Sequence, residues 1–479
     1  MSTAINRYTR HYINGQWVES TGAESFESFN PATGQPLSHT RFGSEADADA
    51  AVQAAQTAQA ALALTTRQER LDMLQRIAAS YSKHQAALVD AVQQSLGAPR
   101  MLCERLQVPA GLMQVQAWSR VLADFPFEEQ RGPHLLLQQP VGVSLCITSW
   151  NWPLNGPMGV LLPALAAGCA TVWKPSEHAS ATAVLLAQVM HDAGLPPGAF
   201  NMVLGNGHVV GRRLVGDPAV AMVSFTGSVA AGNAIGQASV AQSKRVVLEL
   251  GGKSPFIVLP DADLPAAVKA CMTGLLRNSG QSCNAPARLL VPRERLAEAE
   301  AVAAAVANHL VIGDPAEPGT QMGPLGNEMH YQTVQRFIEH GLRDGAHLVA
   351  GGTGHPQGLE AGCYARPTVF SRVPDDAFIV QEEAFGPVLV IQDYGDVDEA
   401  VELANRSEFG LSAYVVGGAE QARQVARRLQ AGMVHINGAE MDLGMPFGGV
   451  KHSGLGRKFG PEGLKAYLEP QSILVPAAA

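Results

Sequence analysis

Between residues 141 and 249 five short apolar runs, at 141–147, 170–173, 200–204, 221–225 and 245–248, are separated by helix-length segments. Strands that alternate with helices in this way are covered on both faces, which predicts an α/β fold with a parallel, doubly wound sheet and a ligand at the strands' carboxyl ends. Residues 132–173 contain no Asp, Glu, Lys or Arg. Pro140, Pro153, Pro157, Pro163 and several glycines interrupt that stretch, so it reads as buried strands, turns and a short core helix and not as a membrane span.

The pattern restarts after Lys253 with a strand at 255–259, a helix at 264–278, a polar loop and a strand at 287–291, which predicts a second α/β domain ending near Gly456. The first 120 residues add a strand at 12–18 and an Ala-rich helix at 45–64. A chain of 479 residues with 46% apolar and 16% charged residues can bury a large core in two or three domains. Its net charge of -9, with no Lys/Arg stripe, argues against nucleic acid or an anionic membrane as partner and leaves a small molecule as the default. Cys103, Cys146, Cys169, Cys271, Cys283 and Cys363 show no C-x-x-C spacing, so neither a disulfide framework nor a metal site is expected, and a reducing cytoplasm fits. Residues 1–18 lack the apolar core of a secretory signal.

One cysteine stands apart. Cys283 lies in Arg277-Asn278-Ser279-Gly280-Gln281-Ser282-Cys283-Asn284, flanked by polar residues among which a thiolate can be solvated. On the flanks alone a reactive thiol and a packing cysteine both remain open. Some thirty residues earlier, Glu249 follows Val246-Val247-Leu248 and precedes Gly251-Gly252, which puts a carboxylate at a strand end, half-buried and with its pKa pushed upward, suited to general-base work across an interdomain cleft. The segment Gly205-Asn206-Gly207-His208-Val209-Val210-Gly211 follows a strand, but its spacing is one residue longer than the dinucleotide fingerprint.

Seven motifs then occur in order: Thr148-Ser149-Trp150-Asn151-Trp152-Pro153, Trp173-Lys174-Pro175-Ser176-Glu177, Phe225-Thr226-Gly227-Ser228, Glu249-Leu250-Gly251-Gly252-Lys253, Gly280-Gln281-Ser282-Cys283, Glu382-Glu383-Ala384-Phe385-Gly386-Pro387-Val388 and Pro446-Phe447-Gly448-Gly449-Val450-Lys451. Together they make the chain resemble the NAD(P)-dependent aldehyde dehydrogenase superfamily over nearly its whole length. The resemblance implies a Rossmann-type cofactor domain at 1–122 and 142–251, a catalytic α/β domain at 252–456 and a β oligomerisation arm at 123–141 and 457–479. It also implies oxidation of an aldehyde to the free acid through a Cys283 thiohemiacetal and thioester, with Asn151 and the Cys283 N–H holding the oxyanion and Glu249 activating water. By the same resemblance Thr148, Trp150, Lys174, Ser176, Glu177, Gly207, Gly211, Phe225, Gly227, Ser228, Leu250, Gly251, Glu383 and Phe385 bind the cofactor. Ser228 at a helix start would meet the pyrophosphate, and Glu177 would accept from the ribose 2'-OH and disfavour NADP, although Lys174 could still pair with a phosphate.

Departures from the family pattern are Ser149 where Pro is usual, which should alter loop stiffness, Trp152 for Phe, Ala384 for a bulkier residue and Lys458 where Glu is frequent. A loop with Glu440 and Asp442 resembles the substrate mouth; its acids either disfavour anionic aldehydes or simply face solvent. Trp118 and Met113 are read either as tunnel lining or as core. Leu135-Leu136-Leu137 and Ile473-Leu474-Val475 resemble the oligomerisation arm, so a homodimer or homotetramer is expected. A CoA-acylating enzyme and a non-catalytic NAD-binding relative are the alternatives; Glu249 speaks against the first, and Cys283 with Asn151 against the second.

Overall fold

The computed structural model describes residues 5–476. Its largest sheet has eight strands, in the spatial order Gly454–Leu455, Arg245–Glu249, Val220–Thr226, Val143–Ile147, Thr171–Lys174, Phe200–Met202, Arg10–Ile13 and Gln16–Glu19. The five central strands run parallel and match the five apolar runs. Chain order reverses between Val143–Ile147 and Val220–Thr226, and at such a switch point the connections leave in opposite directions and open a crevice. Thr148, Lys174, Thr226 and Glu249 all lie at its carboxyl rim.

A seven-stranded sheet holds His347–Ala350, Thr368–Ser371, Val388–Tyr394, Arg288–Pro292, Pro255–Val258, Ser412–Val416 and Met433–Ile436, parallel except for its first pair. A three-stranded antiparallel sheet joins Leu468–Ile473, His134–Pro140 and Glu128–Arg131. The expectation of α/β architecture with two parallel sheets and a small β arm therefore holds. Among the described residues no helix is long and apolar enough to cross a membrane; the charge-free stretch instead contributes Val143–Ile147, the helix Asn155–Ala167 and Thr171–Lys174, almost entirely buried.

The strand expected at 12–18 is a hairpin, Arg10–Ile13 paired with Gln16–Glu19. Asn14 and Gly15 both take positive φ (52° and 78°), the two-residue turn that an Asn-Gly pair favours, so an apparently continuous run folds back on itself.

Two buried arginines anchor helix ends, Arg70 from the helix Arg67–Leu96 and Arg288 from the strand Arg288–Pro292. Arg70 donates to the carbonyls of Ala166 and Ala167 at the end of Asn155–Ala167. Arg288 does the same to Leu403 and Ala404, near the end of Val397–Asn405. Each answers the last-turn carbonyls that a helix cannot pair internally. Leu162 lies at the centre of the packed layer with no exposed surface. Leu162→Ala should lower unfolding free energy by about 2–5 kcal/mol, read as a lower urea midpoint at unchanged m.

Candidate active site

The cysteine loop leaves the helix Leu264–Leu276 through three consecutive residues of positive φ, Asn278 (53°), Ser279 (57°) and Gly280 (77°). Two of these are not glycine, so the conformation is held by its surroundings. Ser279 Oγ donates to Gly323 O at 2.9 Å, the Gln281 side chain bridges Asn278 O and the Gly326 N–H, and Trp152 Nε1 donates to Ser282 Oγ at 2.9 Å. A methyl group at Gly280 would stand 2.2 Å from Gly386 C and O, so only glycine fits.

Asn151 reaches the same loop from the first sheet. Its Nδ2 donates one hydrogen to Gln281 O at 2.9 Å, and its backbone O accepts from Asn278 Nδ2 and Gln107 Nε2. Ser149 Oγ donates to Asn151 Oδ1 at 2.7 Å, which fixes which end of the amide faces the cysteine loop and leaves a second N–H to offer. The serine in place of proline thus acts on the asparagine through a hydrogen bond, an effect that loop stiffness alone does not describe.

Glu249 ends its strand opposite Thr226, only 2% exposed, and neither carboxylate oxygen has a hydrogen-bond partner. Burial raises its pKa to about 8, against the opposing pull of Lys458 and Arg457. Past it, a methyl at Gly252 would meet Cys283 O at 2.2 Å, and one at Gly251 would meet Glu383 Oε2 at 2.2 Å. The backbone after Glu249 is therefore in direct contact with the cysteine loop. Cys283 is half-buried. Burial, reinforced by Glu249 and Glu383 and opposed by Lys458, pushes its thiol up to about 12. The polar flanks suggested a solvated thiolate; the folded loop instead holds a protonated thiol beside two carboxyl groups.

The residues expected at a cofactor fall into two groups. At the switch-point rim Lys174 is buried, donating to Pro175 O and lying 3.7 Å from Glu177. Ser176 caps the turn Glu177–Ala179, and the Thr148 hydroxyl accepts from Trp173 Nε1. Gly211 faces the Lys174 side chain, and nothing lies within 4 Å of a methyl built on Gly207. Ser228 caps Val229–Val240, Phe225 fills the space a side chain at Gly227 would need, and Leu250 packs on Gly232. In the second group Glu383 Oε1 accepts from the Gly252 N–H at 3.0 Å, with its pKa raised to about 7 by burial. Phe385 (φ 51°) packs edge-on to Trp150. His330 completes this aromatic group, hydrogen-bonded to Phe385 O at 2.7 Å and held neutral by burial, which lowers its pKa to about 4. No sequence signal marked it, since it is one of two histidines, with His340, in the amphipathic helix Glu328–Arg343 and stands in no motif.

An open face at Gly207, a capped helix N-terminus at Ser228 and a buried ammonium at the strand ends fit a dinucleotide: backbone for close approach, N–H groups for phosphate and donors for ribose. A match to the aldehyde dehydrogenase family spans residues 17–473. The chain belongs to that family. Over 469 residues, 98% of each chain, this family member is 45% identical to a 3-succinoylsemialdehyde-pyridine dehydrogenase of a Pseudomonas species. Among solved structures it is similar to a mutant of aldehyde dehydrogenase C from Pseudomonas syringae in complex with NAD+ and octanal (TM-score 0.97, 43% identity, 98% of each chain). It is also similar to a Mycobacterium tuberculosis aldehyde dehydrogenase complexed with NAD+ (TM-score 0.96, 33% identity, 99% of each chain).

Gly280→Ala places a side chain at φ +77° against Gly386. We expect about 1–3 kcal/mol of strain, seen as a lower unfolding midpoint together with loss of aldehyde turnover.

Proposed function

We propose that this aldehyde dehydrogenase family member oxidises an aldehyde to the free carboxylic acid with NAD+, with Cys283 as nucleophile, Asn151 as oxyanion donor and Glu249 as base. The observation that carries the reading is the convergence of a thiol, an oriented amide and an unpartnered buried carboxyl group from two different sheets. Cys283 Sγ adds to the carbonyl carbon, and because its thiol is protonated, that proton must leave as the bond forms; Glu249 is the adjacent acceptor. The oxygen that becomes negative takes the free Asn151 N–H and the Cys283 backbone N–H. Bound at the switch-point rim, NAD+ supplies the hydride acceptor. Thr148, Lys174, Ser176, Glu177, Gly207, Gly211, Phe225, Gly227, Ser228 and Leu250 would hold its adenosine and phosphates, and Gly251, Glu383, Phe385 and Trp150 its nicotinamide end. Cys283 is left as a thioester; once Glu249 has passed the thiol's proton to solvent, it takes a proton from the water that opens the thioester and returns it to the departing sulfur, releasing acid and regenerating the thiol.

The Glu177 carboxylate at the rim favours NAD over NADP, since it would repel a 2'-phosphate. Uncharged aldehydes are the substrate class we favour: Glu440 and Asp442 are exposed on the mouth loop, where Asp442 Oδ1 accepts from the Gly444 N–H. Octanal, bound in the Pseudomonas syringae structure, is uncharged too. Trp118 is buried against Gly463 and Met113 is exposed, so Met113 is the better placed of the two to meet substrate. Free cysteines throughout suit a reducing compartment such as the cytoplasm. Ile473, Leu474 and Val475 are exposed at the edge of the small sheet, the support for a homodimer or homotetramer; light scattering on the purified chain should give a mass of two or four subunits, and a monomer would remove this part.

The test is NAD+ reduction and acid release without CoA across aliphatic, aromatic, acidic and amino aldehydes. Cys283→Ala should abolish turnover and Asn151→Ala should lower it by about a hundred- to a thousandfold. Because only ionised Glu249 accepts a proton and its pKa is raised to about 8, kcat should rise with pH and level off above that value. Glu249→Gln should flatten the limb and cost about a hundred- to ten-thousandfold. A wild-type profile already flat from pH 6 to 9 would count against Glu249 as the base.

A further inference from the structure

Lys458 is a buried cation that the chemistry above does not use. It is 8% exposed and closes a strap over the Glu249 strand. Phe447 and Lys458 exchange both backbone hydrogen bonds at 2.7 Å, and between them Gly454–Leu455 pairs with Leu248 and Glu249. A methyl on Gly448, next to Phe447, would stand 2.6 Å from Glu249 Oε1. The strap therefore runs against the carboxyl group, with Gly456 O and Arg457 Cδ 2.9 and 3.2 Å from the same point. From there Lys458 Nζ donates to Thr226 Oγ1 at 2.6 Å, and Thr226 is the strand neighbour of Glu249.

Two other lysines, Lys244 buried and Lys451 exposed, show what a purely structural ammonium does here. Lys244 Nζ donates to the carbonyls of Val215 and Asp217, and Lys451 Nζ to those of Asn405 and Ser407, each tying two backbone segments. Lys458 ties none: its one acceptor is a hydroxyl, two of its three hydrogens are unused, and the carboxylate beside it has both oxygens unpartnered. Resting on the reading of Glu249 as base, we propose that Lys458 is a positioning residue whose charge, anchored by Thr226, stands against Glu249 and Cys283 and sets the pH at which Glu249 becomes able to take a proton.

The other groups facing this pair are Arg457 on the strap, Cys146 on the strand Val143–Ile147, Glu383 beside the cysteine loop and Tyr414 on the second sheet. Arg457 donates through Nη1 to Gly449 O and Gly456 O from a half-buried position, and Cys146 is a thiol raised to about 12, so Lys458 is the more deeply buried of the two cations. The sign follows. A neighbouring positive charge stabilises carboxylate and thiolate alike, and removing it makes both harder to form.

In Lys458→Met the rising limb of kcat should move up by about one pH unit, and iodoacetamide modification of Cys283 in the cofactor-free enzyme should need correspondingly higher pH. Lys458→Arg, which keeps charge and donor, should restore both profiles; if the methionine variant is insoluble, Lys458→Gln, which keeps a hydrogen bond to Thr226 without charge, carries the same comparison. A merely structural lysine would lower the unfolding midpoint and leave both profiles in place, and that result would overturn the proposal. If wild type and Glu249→Gln share one limb, it is the base assignment that fails; if the limb is lost in Glu249→Gln yet stays fixed in Lys458→Met, only the role of Lys458 fails.

Discussion

A carboxyl group buried with no hydrogen-bond donor is expensive, and the fold maintains one at Glu249. An unpaired charge in such a place is disfavoured strongly enough that protonation is the usual outcome, and the pKa near 8 expresses that balance. The parallel sheet supplies the means. A strand locked by ladder bonds on both sides cannot rotate its last side chain away to solvent, and Gly448 brings the strap's backbone up to it where any side chain would collide. The cost is carried by the packing of the whole first sheet, and in return the group stays poised between acid and base in the range where a dehydrogenase works.

The same contacts explain why Cys283 and Glu249, the proposed nucleophile and base, thirty-four positions apart in the chain (283 − 249), share one site although one lies in a loop of the second domain and the other ends a strand of the first sheet. Cys283 is placed by a loop with three left-handed residues, and that loop rests on Gly252, just past Glu249. The chemistry therefore depends on backbone meeting backbone, a more rigid register than side-chain packing provides. Ser149 extends it by orienting the Asn151 amide, and Trp152 by holding Ser282.

Much of this was legible in the sequence where one residue's neighbours dictate its state. The apolar runs became the five central strands because a strand buried on both faces must be apolar throughout. The helix at 45–64 was legible from its alanines, and it starts at a capping box of Ser44 and Asp47. The hairpin at Asn14-Gly15 was misread because Tyr12, Ile13, Trp17 and Val18 form an apparently continuous run, and turn chemistry outweighed it. What the sequence could not show depends on partners distant in the chain. The thiol of Cys283 looked solvated from its polar flanks, but those flanks turn inward to bond Asn151, Trp152 and Gly326, and the sulfur ends beside carboxyl groups. His330 meets Trp150 and Phe385 only in the folded chain.

The two buried arginines at helix ends have a further meaning. Arg70 joins two helices and Arg288 a helix to a sheet, each through a cation that stays charged at every pH the active site samples, since even in its buried setting Arg288 titrates only at about 10. Joints of this kind do not loosen when protons move. The groups near Cys283 can change charge while these two anchors hold, so proton traffic at the centre of the molecule is insulated from its frame.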